Sequence, residues 1–179
     1  RSTEVGVLKL HAITVAKPKS LSQSIEDFYN SLGITHPSQL DMYWIAEKTN
    51  VILEIFPIKS SSFKDGGLYF IVIDSRLTPQ QQWQDFGHEM SHILLHGWLS
   101  NVLKYGGNQL RARKSLIKYQ EMKADNFTYE FCIPTFMLQK MKLPKLKHVA
   151  ARYVSEQFCV TDEFAYEQLT RFENRMVQC

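Results

Sequence analysis

The sequence predicts an α+β fold that is mainly helical, with a small antiparallel sheet and further helices at its C-terminal end. Two runs rich in β-branched and aromatic residues, 51–56 and 68–74, have the length and composition of strands. A capped stretch with apolar residues at helical spacing, 79–96, predicts a long central helix. After residue 136, helical patterns follow one another without a further strand.

The segment before the sheet is predicted to be largely helical. Residues 5–15 fit either a strand or an ordered tail. Residues 20–32 predict a helix, because serines at its start can cap it and Gly33 can end it. Residues 38–41 have the sequence of a capping box, so we expect a second helix that opens there and ends near Lys48.

A turn between the two strands sets their expected pairing. Residues 64–67 combine Asp with two glycines, which is typical of a tight turn. We therefore expect 51–56 and 68–74 to form an antiparallel hairpin. Pro57 directly follows the first run and has no N–H to donate, which indicates that this strand ends there or lies at an edge of the sheet.

The central helix has both a start and a stop in the sequence. Thr78 is a suitable N-cap, Pro79 suits the first helical position, and Gln81 stands three residues after the cap. Gly97 is a candidate for a left-handed stop at the other end. The apolar stripe of this helix consists of Trp83, Phe86, Met90, Ile93 and Leu94.

This helix carries the pattern H-E-x-x-H at His88, Glu89 and His92. Helix positions i and i+4 lie about 40° apart around the axis and about 6 Å along it, so both imidazoles can reach one metal ion. Glu89 projects beside them and can take a proton from a metal-bound water. With 6 His in the chain, about one shuffled sequence in a hundred would match the pattern. The alternative is two histidines on an ordinary amphipathic helix.

An open, catalytic zinc site needs a third protein ligand. Glu121 and Asp125 are spaced i and i+4, so they share one helix face. Glu121 can bind the metal directly, and Asp125 can accept a hydrogen bond from the distal nitrogen of a ligating His. Taken alone, this pair of carboxylates is typical of a solvated acidic surface. Residues 106–108 contain a turn signal that lets the second helix return to the first.

The chain resembles the ImmA/IrrE family of zinc-dependent metallopeptidases, which are gluzincin-like proteins of bacteria and their mobile elements. The resemblance rests on H-E-x-x-H-x-L-L-H starting at His88, on E-x-x-A-D-x-F starting at Glu121, and on Pro134 beyond them. It covers roughly residues 38–135, with weaker similarity after that range.

The resemblance implies a zincin-like core and a zinc cofactor. Many family members have Gly where Ser91 stands, and Phe-Ala where this chain has Phe127 and Thr128. None of these three residues is an implied ligand, so the departures leave the expected chemistry in place. The implied zinc ligands are His88, His92 and Glu121, and the implied catalytic base is Glu89.

His96 and five other polar residues are candidates for roles other than metal ligation. His96 lies one turn beyond His92, and a fourth protein ligand would close the site and displace the catalytic water. We therefore expect His96 to support the site by hydrogen bonding or packing. Gluzincins use a further side chain to stabilise the oxyanion, and the sequence leaves five candidates open: Tyr105, Tyr119, Tyr129, His148 and Arg152.

The chain length of 179 residues fits one domain with an appended piece. We expect an N-terminal segment and helix at 1–36, a metallopeptidase core at 37–135, and a helical extension packed on the core at 136–179. No run approaches the ~18 apolar residues of a membrane span, and no secretory signal is visible. Three cysteines without metal-type spacing suggest reduced thiols, so we expect a cytoplasmic protein.

The C-terminal region predicts three helices. A short one spans 136–141, a second runs from Pro144 to about Phe158, and Thr161 can cap a third that ends near Met176. The last two have the lengths of a helix-turn-helix or of an αα-hairpin packed on the core. The third begins with two acidic residues, which disfavours contact with phosphates, so we expect packing.

The net charge of +3 is mild, but two basic clusters stand out. They indicate either docking of an acidic partner or DNA, or ordinary solvated helix faces. The first cluster is Lys104, Arg111, Arg113, Lys114 and Lys118, and the second is Lys140, Lys142, Lys145, Lys147 and Arg152.

Together these features predict a cytoplasmic zinc metallopeptidase that acts on a protein. The family resemblance implies site-specific cleavage of a helix-turn-helix repressor of a prophage or other mobile element. Membrane association and direct nucleic-acid binding are not expected. Two alternatives stay open: a regulatory binding protein that controls its partner by contact, and a DNA-binding regulator that uses the C-terminal helices. Retention of Glu89 disfavours the first, because a structural metal site needs no base.

Overall fold

The computed structural model describes residues 20–102 and 109–177, apart from the side chains of 96–117 and 120. Helices dominate and a three-stranded sheet accompanies them, so the predicted α+β class is confirmed. Residues 5–15 and the turn predicted at 106–108 lie outside the described residues. The elements are α1 (Leu21–Ser31), α2 (Met42–Lys48), β1 (Val51–Phe56), β2 (Ser61–Asp65), β3 (Leu68–Asp74), α3 (Pro79–Val102), α4 (Gln109–Cys132), α5 (Thr135–Leu138), α6 (Lys147–Phe158) and α7 (Asp162–Val177).

Helix α1 begins and ends as its sequence predicts. The hydroxyl of Ser20 accepts a hydrogen bond from the backbone N–H of Gln23 at 3.2 Å, which satisfies one of the free donors of the first turn. Gly33, with φ at 73°, takes the left-handed conformation after the last turn. The aromatic ring of Tyr29 on this helix is fully buried, and its hydroxyl donates to the Phe131 carbonyl at 2.7 Å.

The start of α2 differs from the expected capping box at 38–41. A 3₁₀ turn at Pro37–Gln39 comes first, and Asp41 is the N-cap of the helix that follows. The Asp41 carboxylate accepts from the N–H of Trp44 at 2.8 Å. An ionised carboxylate is a strong acceptor for the free N–H groups of the first helical turn, so Asp41 and not Ser38 caps the helix. The helix therefore begins after residues 38–41.

The sheet has the order β1-β3-β2, and its pairing corrects the predicted hairpin. β1 and β3 run parallel, with Val51 opposite Tyr69. The antiparallel partner of β3 is β2, a strand that the sequence analysis missed, and Gly66 and Gly67 form the turn between them with positive φ. β1 is an edge strand and ends directly before Pro57, as predicted.

Helix α3 starts at the predicted cap. The Thr78 hydroxyl accepts from the N–H of Gln81 at 3.3 Å, and the Gln81 side chain accepts from the N–H of Thr78 at 3.1 Å. The stop predicted at Gly97 is wrong, because the helix continues to Val102. A glycine in a helix interior costs only about 1 kcal/mol, which the hydrogen bonds of the following turn can offset.

Helix α3 lies between the sheet and α4, and the core forms on both of its sides. Ile71 of β3 is fully buried where the sheet meets α3. On the other side the rings of Phe86 and Phe131 pack with their centroids 6.1 Å apart. A Cβ added to Gly87 would lie 2.7 Å from Cys132 Sγ, so α3 and α4 approach each other closely at this glycine. This close approach brings the motif helix next to the helix that carries Glu121.

The C-terminal helices contact the rest of the described chain. α6 begins at Lys147 rather than at Pro144, and Thr161 caps α7 by accepting from the Phe164 N–H at 3.3 Å. α6 and α7 pack against each other, and α7 also contacts α4. The buried amide of Gln168 donates to the Ile133 carbonyl at 3.0 Å and fixes this contact. Within the described residues, no helix is long and apolar enough to cross a membrane.

Candidate metal centre and cleft

The two histidines of the α3 motif meet on one side of the helix. Their Nε2 atoms are 3.1 Å apart, and both side chains are half-buried. The opposite face of the helix, with Phe86 and Met90, is fully buried and fixes the rotation of α3 about its axis. The orientation of the imidazoles is therefore a consequence of how the apolar stripe packs.

Glu121 of α4 completes a set of three possible metal ligands. Its Oε2 lies 3.6 Å from Nε2 of His88, and one ligand atom from each of His88, His92 and Glu121 lies within 4.8 Å of the others. A tetrahedral zinc ion with bonds of about 2.0–2.1 Å places its ligand atoms about 3.3 Å apart. Two of the three separations, 3.1 Å between the histidines and 3.6 Å between His88 and Glu121, bracket this value, and the third is no longer than 4.8 Å. Two imidazoles and one carboxylate are also a donor set that zinc uses in catalytic sites.

Asp125 and Ser91 contact His88 from outside the donor set. Oδ1 of Asp125 lies 3.8 Å from Nδ1 of His88, the ring nitrogen that faces away from the possible ligands. This distance is longer than a direct hydrogen bond. Ser91 is fully buried and its hydroxyl donates to the His88 carbonyl, so Ser fits this position without an unpaired polar group. The side chain of His96 lies outside the described part of the chain.

Glu89 is a nearly buried carboxylate with one hydrogen-bond donor. It is 8% exposed, and its Oε2 accepts from the hydroxyl of Ser62 at 2.7 Å. No other hydrogen bond to Glu89 is found among the described residues. Its second carboxylate oxygen is thus available to a molecule in the adjoining cleft.

The cleft beside these residues has a volume of about 870 Å³. Residues 59–64 line it from β2 and the segment before it, and Tyr69 of β3 adds an aromatic side chain. The lining from α3 and α4 includes both histidines, Glu89 and Glu121. The site therefore opens onto an edge strand, with Lys59 and Lys64 as cations at its border.

The side of the cleft that the sheet provides has no signal in the sequence. Ser62 and Tyr69 belong to it, and nothing in a short polar strand or a single Tyr marks such residues in a sequence. Tyr69 contacts Lys64, whose Nζ lies 4.9 Å from the ring centroid.

The five side chains considered for the oxyanion do not include Tyr69. Of the described ones, Tyr119, Tyr129, His148 and Arg152 do not line the cleft. Tyr129 instead stacks on Phe164 at 4.3 Å and lies under Arg171 at 4.2 Å, and its partial burial raises the pKa of its phenol. Tyr105 lies outside the described residues.

The junction between β3 and α3 is held by Asp74. Its carboxylate accepts three hydrogen bonds from Arg76, at 3.0 Å from the backbone N–H and at 2.8 and 2.6 Å from the guanidinium. These bonds lower the pKa of Asp74 to about 2. The carbonyl of Asp74 also accepts from the Gln82 side chain at 3.2 Å. Asp74 thereby ties the end of the sheet to the first turn of the motif helix.

The arrangement of these side chains defines the class of protein. An α+β fold that brings two helix histidines and a carboxylate from the next helix together over a cleft is that of a metallopeptidase-like domain. The model of the IrrE N-terminal-like domain family, Peptidase_M78, matches residues 36–170. This match covers more than half of the chain, so the protein belongs to the Peptidase_M78 family.

Two curated relatives come from Bacillus subtilis (strain 168). The phage-like element PBSX protein XkdA is 37% identical over 155 residues, which is 87% of this chain and 74% of that protein. The uncharacterized protein YqaB is 33% identical over 158 residues, which is 88% of this chain and 87% of that protein. The similarity to both therefore extends over most of the chain.

Proposed function

We propose that the protein is a zinc-dependent metallopeptidase with His88, His92 and Glu121 as ligands and Glu89 as general base. The observation that carries this proposal is the donor set within 4.8 Å, placed beside a nearly buried carboxylate at one cleft. A structural metal site would gain nothing from such a carboxylate. Membership of the Peptidase_M78 family supports the same activity.

Each residue has a separate task in this reaction. When bound, a zinc ion supplies a polarised water and draws electron density from the scissile carbonyl. Glu89 accepts the proton of the attacking water on its free oxygen and passes it to the departing amine. Asp125 favours the tautomer of His88 in which Nδ1 carries the proton and Nε2 keeps its lone pair.

The substrate is a protein segment in extended conformation. The cleft is bordered by β2, which is an edge strand among the described residues and pairs with no described strand on its outer side. A peptide can add to such an edge through main-chain hydrogen bonds and present its carbonyl group to the metal centre.

The protein that supplies this segment is proposed to be a helix-turn-helix repressor of a mobile element, cleaved in the cytoplasm at one site. The support is that one relative is named as a protein of a phage-like element. Cleavage would then release the genes that the repressor silences.

The variant Glu89→Gln tests the proposed activity. It removes the base but keeps the shape and all three ligands, so zinc content should equal that of the parent while cleavage falls by at least about 100-fold. Zinc is measured by atomic absorption, and cleavage by mass spectrometry of a candidate helix-turn-helix repressor incubated with the protein. Glu54→Gln, on the exposed face of β1, is the matched control. Cleavage by Glu89→Gln at the parental rate would refute the proposal.

A further inference from the structure

The strand that borders the cleft is linked to the motif helix through one side-chain hydrogen bond. Ser62 is the second residue of β2 and lies opposite Ile71 of β3, and its hydroxyl donates to Oε2 of Glu89 at 2.7 Å. An ionised carboxylate can only accept, so the direction of this bond is fixed. The distance is that of a strong, charge-assisted hydrogen bond.

Both partners of this bond are held by rigid elements. The register of β2 on β3 fixes the position of Ser62, and the core contacts of Met90 fix the face of α3 that carries Glu89. With Oε2 engaged, the carboxylate plane can no longer rotate freely, and the second oxygen stays directed to the cleft. Truncation of Ser62 would leave Glu89, at 8% exposure, without its donor.

We propose that Ser62 is a positioning residue that holds Glu89 in the orientation needed for proton transfer. This inference rests on the proposed function, in which Glu89 is the base. Ser62 itself transfers no proton and binds no metal. Its role is to keep one oxygen occupied so that the other faces the attacking water.

The neighbouring Ser60 has a different role. The Ser60 hydroxyl accepts from the backbone N–H of Asp74 at 3.1 Å and stabilises the sheet. Ser62 is half-buried and its hydroxyl is used by Glu89 alone among the described residues. Deletion of the Ser62 hydroxyl is therefore expected to alter the orientation of the Glu89 carboxylate more than it alters the stability of the fold.

The kinetic test compares Ser62→Ala with Ser62→Thr. We expect Ser62→Ala to lower kcat by roughly 10- to 100-fold with KM almost unchanged, because substrate contacts remain while the base loses its orientation. Ser62→Thr retains the hydroxyl and suits a strand, so it should restore kcat to within a few-fold of the parent. Zinc content should be the same in all three proteins.

The matched control is Ser155→Ala. The Ser155 hydroxyl donates to the Asp162 carboxylate between α6 and α7, so its loss removes the same type of bond away from the cleft. We expect a lower melting temperature and an unchanged kcat. An equal loss of kcat in Ser155→Ala and Ser62→Ala would overturn the positioning role, as would a Ser62→Thr protein as slow as Ser62→Ala.

A binding measurement supplies a readout that needs no turnover. Acetohydroxamic acid chelates zinc and releases an acidic proton, which a correctly oriented Glu89 carboxylate can accept. Calorimetric titration of the zinc-loaded proteins should show weaker binding to Ser62→Ala than to the parent, Ser62→Thr or Ser155→Ala. Equal affinities in all four proteins would refute the positioning of Glu89 by Ser62.

These measurements separate the two proposals. If the parent cleaves the repressor no faster than Glu89→Gln, the proposed function fails, and the acetohydroxamate affinities still decide whether Ser62 orients Glu89. If the parent cleaves and Ser62→Ala cleaves equally fast, the proposed function stands and the role of Ser62 is refuted.

Discussion

The two ring nitrogens of His88 face different carboxylates. Nε2 lies within 3.6 Å of Glu121 and 3.1 Å of His92, whereas Nδ1 lies 3.8 Å from Asp125. A carboxylate near the ring nitrogen that faces away from the candidate ligands favours the tautomer in which that nitrogen carries the proton, although 3.8 Å is too long for a direct hydrogen bond. Glu121 and Asp125 are therefore expected to contribute unequally to metal affinity.

Glu121→Ala should weaken zinc binding strongly, because it removes one of the three proposed protein ligands. Asp125→Ala should weaken it less, by roughly 10- to 100-fold, because Asp125 acts on His88 through its charge at 3.8 Å and is not itself a proposed ligand. Competition with a zinc chelator measures both affinities. Met122→Ala is a suitable control, since Met122 is exposed on the same helix. Parental affinity in Glu121→Ala would place the third ligand elsewhere.

Gly87 tests how closely the two site helices must approach. Alanine is a better helix former by about 1 kcal/mol, but its Cβ would lie 2.7 Å from Cys132 Sγ and 3.2 Å from a Phe131 ring carbon. Overpacking of this kind costs about 1–3 kcal/mol, so we expect Gly87→Ala to lower the free energy of unfolding.

The double variant Gly87→Ala/Cys132→Ala identifies the cause. Removing the Cys132 sulfur makes room, so Gly87→Ala should cost less in the Cys132→Ala background than in the parent. Urea denaturation of the four proteins gives this difference. Strictly additive free energies would mean that the contact with Cys132 is not what excludes a side chain at position 87.

The grouping of the candidate metal ligands was predictable, because the spacing of these residues on their helices sets their geometry. His88 and His92 lie one helical turn apart, and Glu121 and Asp125 repeat the spacing on the next helix. Ser62 and Tyr69 were not predictable, because their proximity to the cleft depends on the sheet pairing. A single Ser in a polar segment has no spacing partner that would identify it.

At the scale of elements, the strand pairing was wrong for a physical reason. The turn at Gly66 and Gly67 was identified, but it joins β3 to β2 and not to β1. β2 is exposed at four of its five positions and consists mainly of Ser, Lys and Asp, so it has neither β-branched residues nor apolar alternation. Helices and their caps were easier to predict, since their signals are local.

The junction of β3 and α3 gives a prediction about pH. The pKa of Asp74 is lowered to about 2 by hydrogen bonds from Arg76, so its stabilising effect is fully present above its unfolded pKa of ~3.9. That effect is lost as the pH falls from about 4 towards 2. Asp74→Asn should therefore be less stable than the parent at pH 7, and the gap should close over this range.

Urea midpoints at several pH values measure this gap. Asp65→Asn, at the exposed end of β2, is the control and should follow the parent at every pH. A stability difference between Asp74→Asn and the parent that is the same at pH 7 and pH 2 would mean that the Asp74 charge does not stabilise the junction.

At the scale of the whole molecule, the cations of the second basic cluster, at 140–152, differ in whether they form ion pairs with the described residues. Lys147 pairs with Glu173 at 2.9 Å, and Arg152 pairs with Glu156 at 3.5 Å. Lys142 and Lys145 are exposed and form no ion pair with the described residues. Lys140 is also exposed and its Nζ lies 5.2 Å from the Phe136 ring centroid. If the cluster docks a protein substrate, Lys142 and Lys145 are the two cations to test first.

Lys142→Glu/Lys145→Glu should slow cleavage of the repressor without changing zinc content. Reversed charges repel an acidic partner, and the effect should shrink as salt is raised, because exposed charges are screened within about 8 Å at physiological ionic strength. Lys48→Glu, on α2, serves as control. Cleavage by the double variant at the parental rate in low salt would rule out docking at this surface.

The division into 1–36, 37–135 and 136–179 stays a prediction. In the described part of the chain, Phe158 of α6 and Leu169 of α7 belong to the same buried apolar cluster as Phe86 of α3. The sequence predicted the lengths of these helices within a few residues. It could not show which residues they pack against, because those contacts join residues that are far apart in the sequence.

The three possible metal ligands are divided between two helices, with His88 and His92 on α3 and Glu121 on α4. An ion held by all three would join the helices as a reversible crosslink. Because the unfolded chain does not assemble this set, mass action ties folding to the free concentration of the ion. A thousandfold excess of free metal over its dissociation constant adds about 4 kcal/mol to stability. The supply of metal would then govern how much folded protein is present, in addition to whether that protein can react.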